Sequence, residues 1–308
     1  MHSQFSRRTF LATSAAVVAS SFDATSSFAD NTPFRPRFSI CNETFRDWPF
    51  DKAFAFAAEC GYKGIEIAPF TISNYVTDVS AGKRQEIRKQ AKAAGLDIIA
   101  LHWLLARTKG LHLTSPDRDV RRKTSQYLGD LARFCADLGG DLLVFGSPRQ
   151  RNLQEGVSRD DGFKFATEVI QDALPVLEKV NVRLALEPLS HRITNFFATA
   201  DEAVELIKRI DSPRCQLILD CVAMASESKT AVELIRQHHK RLVHFHANDP
   251  NSQGPGFGKL DFVPIFQALR EVKFSGWVSV EVFDYAPGPE RLAKESIQYM
   301  KKCVAKTK

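Results

Sequence analysis

The feature that most constrains this chain is an alternation of two segment lengths. From Arg37 onward, eight short apolar or β-branched runs occupy 38–42, 64–68, 97–101, 141–145, 183–187, 216–220, 242–246 and 277–282. Between and after them lie longer stretches with apolar residues at helical spacing, over 51–60, 83–94, 117–138, 162–180, 200–210, 230–239, 262–271 and 289–303. Strand-length runs alternating with helix-length stretches are the mark of repeated βα units around a parallel sheet. Eight of each predicts a closed (β/α)8 TIM barrel, which needs roughly 250 residues. The rival open sheet would carry a glycine-rich phosphate turn after an early strand, and no such turn occurs. Gly254-Pro255-Gly256-Phe257-Gly258 follows the seventh run instead and reads as a mobile loop beside the site.

The N-terminal segment reads differently. Ser6-Arg7-Arg8-Thr9-Phe10-Leu11 precedes a run of apolar and small residues and then Ser27-Phe28-Ala29, a small-x-small cleavage site. Residues 1–29 are therefore expected to be a twin-arginine signal peptide, with 30–308 a single catalytic barrel in the periplasm or outside the cell. The run is too short and too rich in Ser, Ala and Thr to span a bilayer, so no membrane association is expected after signal removal. Six cysteines lie scattered, without a C-x-x-C pair, mostly in apolar segments where a thiol acts as a small hydrophobe. The net charge of +6 is mild, and the basic cluster from Lys83 to Lys92 falls on a solvated helix face without interleaved aromatics. A nucleic-acid partner is not expected.

In parallel α/β barrels the residues at the carboxyl ends of the strands line the active site. Four consecutive runs, the fifth to the eighth, end in Glu187, Asp220, His246 and Glu281. Three carboxylates and an imidazole converging on one mouth would repel if desolvated together without a cation. One divalent metal ion resolves that conflict. Oxygen donors with a single nitrogen favour Mn²⁺, Mg²⁺ or Co²⁺, with Zn²⁺ and Fe²⁺ open.

The segments Leu186-Glu187-Pro188-Leu189, Leu219-Asp220, His244-Phe245-His246-Ala247-Asn248-Asp249 and Trp277-Val278-Ser279-Val280-Glu281 resemble the sugar phosphate isomerase/epimerase family, the xylose isomerase-like barrels that include the ketose 3-epimerases. The ligand separations of 33, 26 and 35 residues match that metal site, and the resemblance runs from about Phe38 to the C-terminus. It implies a small carbohydrate substrate and makes Glu187 and Glu281 the paired acid/base residues as well as ligands. Such a pair permits inversion at a carbon made acidic by a metal-chelated carbonyl, through an enediolate.

Two positions depart from the epimerase pattern. A substrate-gripping His three residues after the Asp ligand and an Arg six after the His ligand are replaced here by Ala223 and Ser252, which removes polar partners for the substrate. Recognition is therefore expected from other groups: His102, Trp103, Glu66, Asp249 and Lys259, with Phe70 and Phe257 as further apolar wall. His244 shares a face with His246 and is expected one layer deeper, in support. A lyase or dehydratase on a 3-keto-glycoside or keto-inositol would use the same site. A DNA phosphodiesterase would need a richer ligand set, and a non-enzymatic sugar binder would not need all four ligands.

Overall fold

The computed structural model of the protein describes residues 34–307. The expected signal peptide lies outside the described residues. Eight parallel strands, β1 Arg37–Cys41, β2 Gly64–Ile67, β3 Asp97–Leu101, β4 Leu142–Phe145, β5 Arg183–Leu186, β6 Cys215–Asp220, β7 Leu242–Ala247 and β8 Trp277–Val280, close into a barrel in sequence order, with β8 pairing back onto β1.

Nine α-helices are present among the described residues: α1 Phe50–Cys60, α2 Ala81–Ala93, α3 Arg118–Leu138, α4 Arg159–Lys179, α5 Ala200–Ile210, α6 Cys221–Met224, α7 Ala231–His238, α8 Phe262–Glu271 and α9 Pro289–Val304. Local capping explains several starts. Ser80, Asp117, Ser158, Thr199 and Asp261 each accept a backbone N–H from the first turn, and Thr230 forms a full capping box with Glu233. The ninth helix corrects the eight expected. Asp220 ends β6 and accepts the Ala223 N–H at 2.8 Å, so one side chain closes the strand and caps the single turn of α6.

Apolar side chains separate into two layers. The main core lies between sheet and helices, and a small cluster of Ile99, Ala100, Leu142, Val144, Ala185 and Ile218 fills the lower lumen. Above that plug the lumen is polar, occupied by Glu66, His102, His244 and His246, all buried. Register sets the height of the mouth: Asp220 pairs with His246 across β6 and β7, and His246 with Ser279 across β7 and β8. Glu187 and Glu281 each follow directly on the last residue of their strand. All six cysteines are free thiols, five of them buried.

Candidate metal centre and active site

The structure brings Glu187, Asp220, His246 and Glu281 together, with one ligand atom from each lying within 4.8 Å of the others. His246 Nδ1 stands 2.8 Å from Glu281 Oε2, 3.2 Å from Glu187 Oε1 and 3.9 Å from Asp220 Oδ2. A ring nitrogen has one hydrogen or one lone pair to offer, so it cannot satisfy three carboxylates. Glu281 Oε2 is buried and, despite its 2.8 Å approach, lacks hydrogen-bond alignment. Donors that surround a common point rather than pairing off suit a coordinated cation.

Electrostatics carry the same imprint. Burial and the nearby Glu187 charge push Asp220 up to about 6, and burial pushes Glu281 up to about 7. Burial alone would lower His246, but Glu281 and Glu66 hold it well above its usual value.

The four side chains are held by their neighbours. Asn248 donates to Asp220 Oδ2 at 2.6 Å and accepts from Val222 N at 2.9 Å, fixing the carboxylate at the head of α6. Gly146 leaves the space occupied by Glu187, since a Cβ there would collide with Glu187 Oε2. Arg151, fully buried, donates to the Glu187 carbonyl at 2.5 Å and to Thr194 Oγ1 at 3.3 Å, and lies 3.6 Å over the Phe197 ring. Burial lowers its guanidinium to about 9.

Glu66 does not line the mouth as a substrate contact. It is fully buried, with Oε1 2.7 Å from His244 Nε2 and Oε2 3.3 Å from His246 Nε2. Burial would raise its pKa, yet the two imidazoles hold it well below the usual carboxylate range. A carboxylate on the far nitrogen of a ligand histidine fixes the tautomer and turns Nδ1 toward the metal position. His244 sits beside His246 with ring centroids 5.2 Å apart, in the supporting layer expected for it.

Asp249 is also structural. Its carboxylate accepts from Gly256 N and Leu260 N, both at 2.9 Å, which ties down the glycine-rich loop expected to be mobile. Lys259 is exposed and lines a separate hollow with Asn251 and Phe257, so neither it nor Phe257 joins the cluster. Ser252 serves a turn, its carbonyl accepting from Phe283 N and Asp284 N at 2.8 Å.

His102 is buried, and its Nε2 lies 2.7 Å from Glu43 Oε2. Burial lowers it, but Glu43 raises it to about 9. Glu43 was not foreseen, because it sits in a short 3-10 turn, Asn42–Phe45, beyond β1, where no periodicity marks it. Arg151 escaped for the same reason, in the loop after β4. Trp103 does reach the cleft. With Gly146, Ser147, Pro148, Leu189, Ile193 and Phe283 it lines a small hollow whose inner wall includes Glu187 and Glu281.

Comparison with known proteins places these residues in context. Residues 54–303 match the family described as xylose isomerase-like TIM barrel. The chain is 25% identical over 273 residues to a probable ketose 3-epimerase of Synechocystis sp., covering 80% of this chain and 88% of that protein. It is 29% identical over 140 residues to a 3-dehydro-D-guloside 4-epimerase of Escherichia coli, covering 44% and 53%. The fold superposes on a D-psicose 3-epimerase from Clostridium cellulolyticum, solved with D-tagatose, at a TM-score of 0.76 and 20% identity over 87% of this chain and 99% of that one.

Proposed function

The chain belongs to the xylose isomerase-like TIM barrels, and from that premise we propose that it is a divalent-metal-dependent epimerase or isomerase of a keto-sugar. The observation that carries this reading is the single nitrogen, His246 Nδ1, faced by three carboxylates that it cannot satisfy as hydrogen-bond acceptors. Similarity to a probable ketose 3-epimerase and to a 3-dehydro-D-guloside 4-epimerase supports it.

Glu187, Asp220, His246 and Glu281 would hold the cation, with Mn²⁺, Mg²⁺ and Co²⁺ the ions best suited to the donors. Bound there, it would polarise a carbonyl and its neighbouring hydroxyl, which acidifies the intervening C–H bond. Glu187 and Glu281 reach in from β5 and β8, flanking the two strands that carry Asp220 and His246. One carboxylate takes the proton from carbon, giving an enediolate, and the other returns a proton from its own side, which inverts the centre. Glu66 keeps His246 in one tautomer throughout, and Arg151 and Gly146 fix where the Glu187 carboxylate begins its work.

Incubating the metal-loaded protein in D₂O with keto-sugars tests the reading. Deuterium should enter at one carbon and the epimer should accumulate; no wash-in with any keto-sugar or keto-glycoside overturns it. Export through the twin-arginine route is likewise proposed, on Ser6 to Leu11 and Ala29. A reporter fused after Ala29 should reach the periplasm, and Arg7→Lys with Arg8→Lys should retain it in the cytoplasm.

A further inference from the structure

The mouth above the cluster carries apolar side chains that stand open to solvent. Among the described residues two large hydrophobic side chains stand exposed, Ile193 at 54% and Phe283 at 38%, and both line the hollow that contains Glu187 and Glu281. Scattered surface hydrophobes need no explanation, but two that share one active-site cleft do.

Both are presented from hydrogen-bonded backbone. Ile193 lies in a turn in which Ile193 N and Thr194 N donate to the Ser190 carbonyl, at 2.9 and 3.1 Å. Thr194 Oγ1 in turn accepts from Arg151 Nε at 3.3 Å and donates to Asn152 Oδ1 at 2.7 Å. The buried guanidinium that holds the Glu187 carbonyl thus also anchors the turn that exposes Ile193. Phe283 is fixed from its backbone by the Ser252 carbonyl at 2.8 Å.

Trp103 completes the rim. Its ring meets Phe283 edge-on at 6.3 Å and Phe70 at 6.2 Å, with the Arg107 guanidinium 4.5 Å over Phe70. The Trp103 backbone has φ 53°, in the left-handed region that disfavours a bulky residue, so the surrounding contacts hold this indole where relaxed chain would not put it. The positions where a ketose epimerase places a His and an Arg carry Ala223 and Ser252. Apolar area has been kept at the entrance while two polar sugar contacts are missing.

We propose that this rim is a subsite for the non-sugar part of a glycoside, so that the substrate is a keto-sugar still joined to a flat, aromatic or apolar aglycone. The inference rests on the epimerase reading and narrows its substrate class. Ile193, Phe283 and Trp103 receive the aglycone, while the sugar lies inward between Glu187 and Glu281.

The test compares methyl and 4-nitrophenyl 3-keto-glucosides on the metal-loaded full chain, substrates that differ only in the aglycone. Wild type should show kcat/KM at least about tenfold higher for the aryl compound, the order expected from burying one ring face. Ile193→Ser and Phe283→Ser should each bring the aryl-to-methyl ratio toward one. Equal kcat/KM in wild type, or a ratio unmoved in both variants, overturns the subsite. Should neither compound nor any free ketose exchange carbon-bound hydrogen with D₂O, the epimerase reading itself fails. In that event binding decides, since wild type should still take 4-nitrophenyl glucoside at least about tenfold more tightly than methyl glucoside. Equal affinities overturn the subsite there too. Sedimentation of wild type and Ile193→Ser supplies the last arm: loss of a dimer in the variant, with the aryl preference intact, would make the rim an interface between copies and overturn the proposal.

Discussion

The two halves of the barrel mouth are furnished with similar side chains and use them in opposite ways. At the ends of β5 to β8, Glu187, Asp220, His246 and Glu281 crowd one point, and Glu281 Oε2 is left without a hydrogen-bond partner. On the β1 to β3 side, Glu43 pairs with His102 at 2.7 Å, and Glu66 divides its two oxygens between His244 and His246. Each acid on that side has an imidazole partner, although Glu43 Oε1, His102 Nδ1 and His244 Nδ1 are left without one, whereas three acids crowd a single ring nitrogen of His246. Composition alone therefore does not tell the two groups apart; the stoichiometry of local pairing does.

The sharpest test of that contrast is catalytic. Glu187→Gln and Glu281→Gln should each lower turnover by at least ~10²-fold, because an amide keeps an oxygen donor but cannot accept the proton. Metal analysis should find more cation in each than in the matching Ala variant. Wild-type rates in either Gln variant would reduce the carboxylates to ligands. Cation affinity probes the boundary between the halves. Glu66→Gln should weaken binding roughly 10- to 100-fold through the His246 tautomer. Glu43→Gln, on the self-paired side, should change affinity far less than Asp220→Ala, and an equal loss in calorimetric titration would break the comparison.

A smaller effect should appear in the pH dependence of stability. Asp220 and Glu281 are raised to about 6 and about 7 in the folded protein, against an ordinary carboxylate value near 4. A raised carboxyl contributes stability that is complete below its unfolded value and is lost as pH rises through the folded one. The chelated protein should therefore melt at falling temperature between pH 5 and 8, with His102, raised to about 9, acting in the same direction above pH 6.5. Metal should flatten that slope, and parallel slopes with and without it would contradict the shared-cation arrangement. Last and smallest, Asp249→Ala should cost about 1–3 kcal/mol in denaturant unfolding by orphaning the Gly256 and Leu260 amides, with little effect on cation affinity.

Periodicity made the barrel readable before any coordinates, because each βα unit repeats the same burial demand and strand ends converge by geometry. The four clustered residues were visible for that reason. Glu66 was visible as well, but its role was misassigned: a carboxylate between Ile65 and Ile67 in an apolar strand must be paired inside, and His244 was available at matching depth. Glu43, Arg151 and Gly146 lay in loops, where no period exists and partners are set by chain reversals that sequence spacing does not report. Lys259 and Asp249 were drawn in by adjacency to the glycine-rich loop, although that loop is tied toward α9, where the Tyr299 hydroxyl donates to the Leu260 carbonyl.

The Glu66 bridge also bears on when in the life of the chain its lumen is completed. Its two carboxylate oxygens meet histidines 178 and 180 positions further on, across the lumen from β2 to β7. A ribosome that has released only the first half of the polypeptide has made Glu66 and neither of its imidazoles, nor any of the four grouped ligands. Until the seventh strand arrives and the ring shuts, Glu66 lacks both of the imidazoles that it hydrogen-bonds in the closed barrel. A cation held by Glu187, Asp220, His246 and Glu281 would thus be captured late in biogenesis, once the barrel has closed, and would serve as a timestamp of its completion.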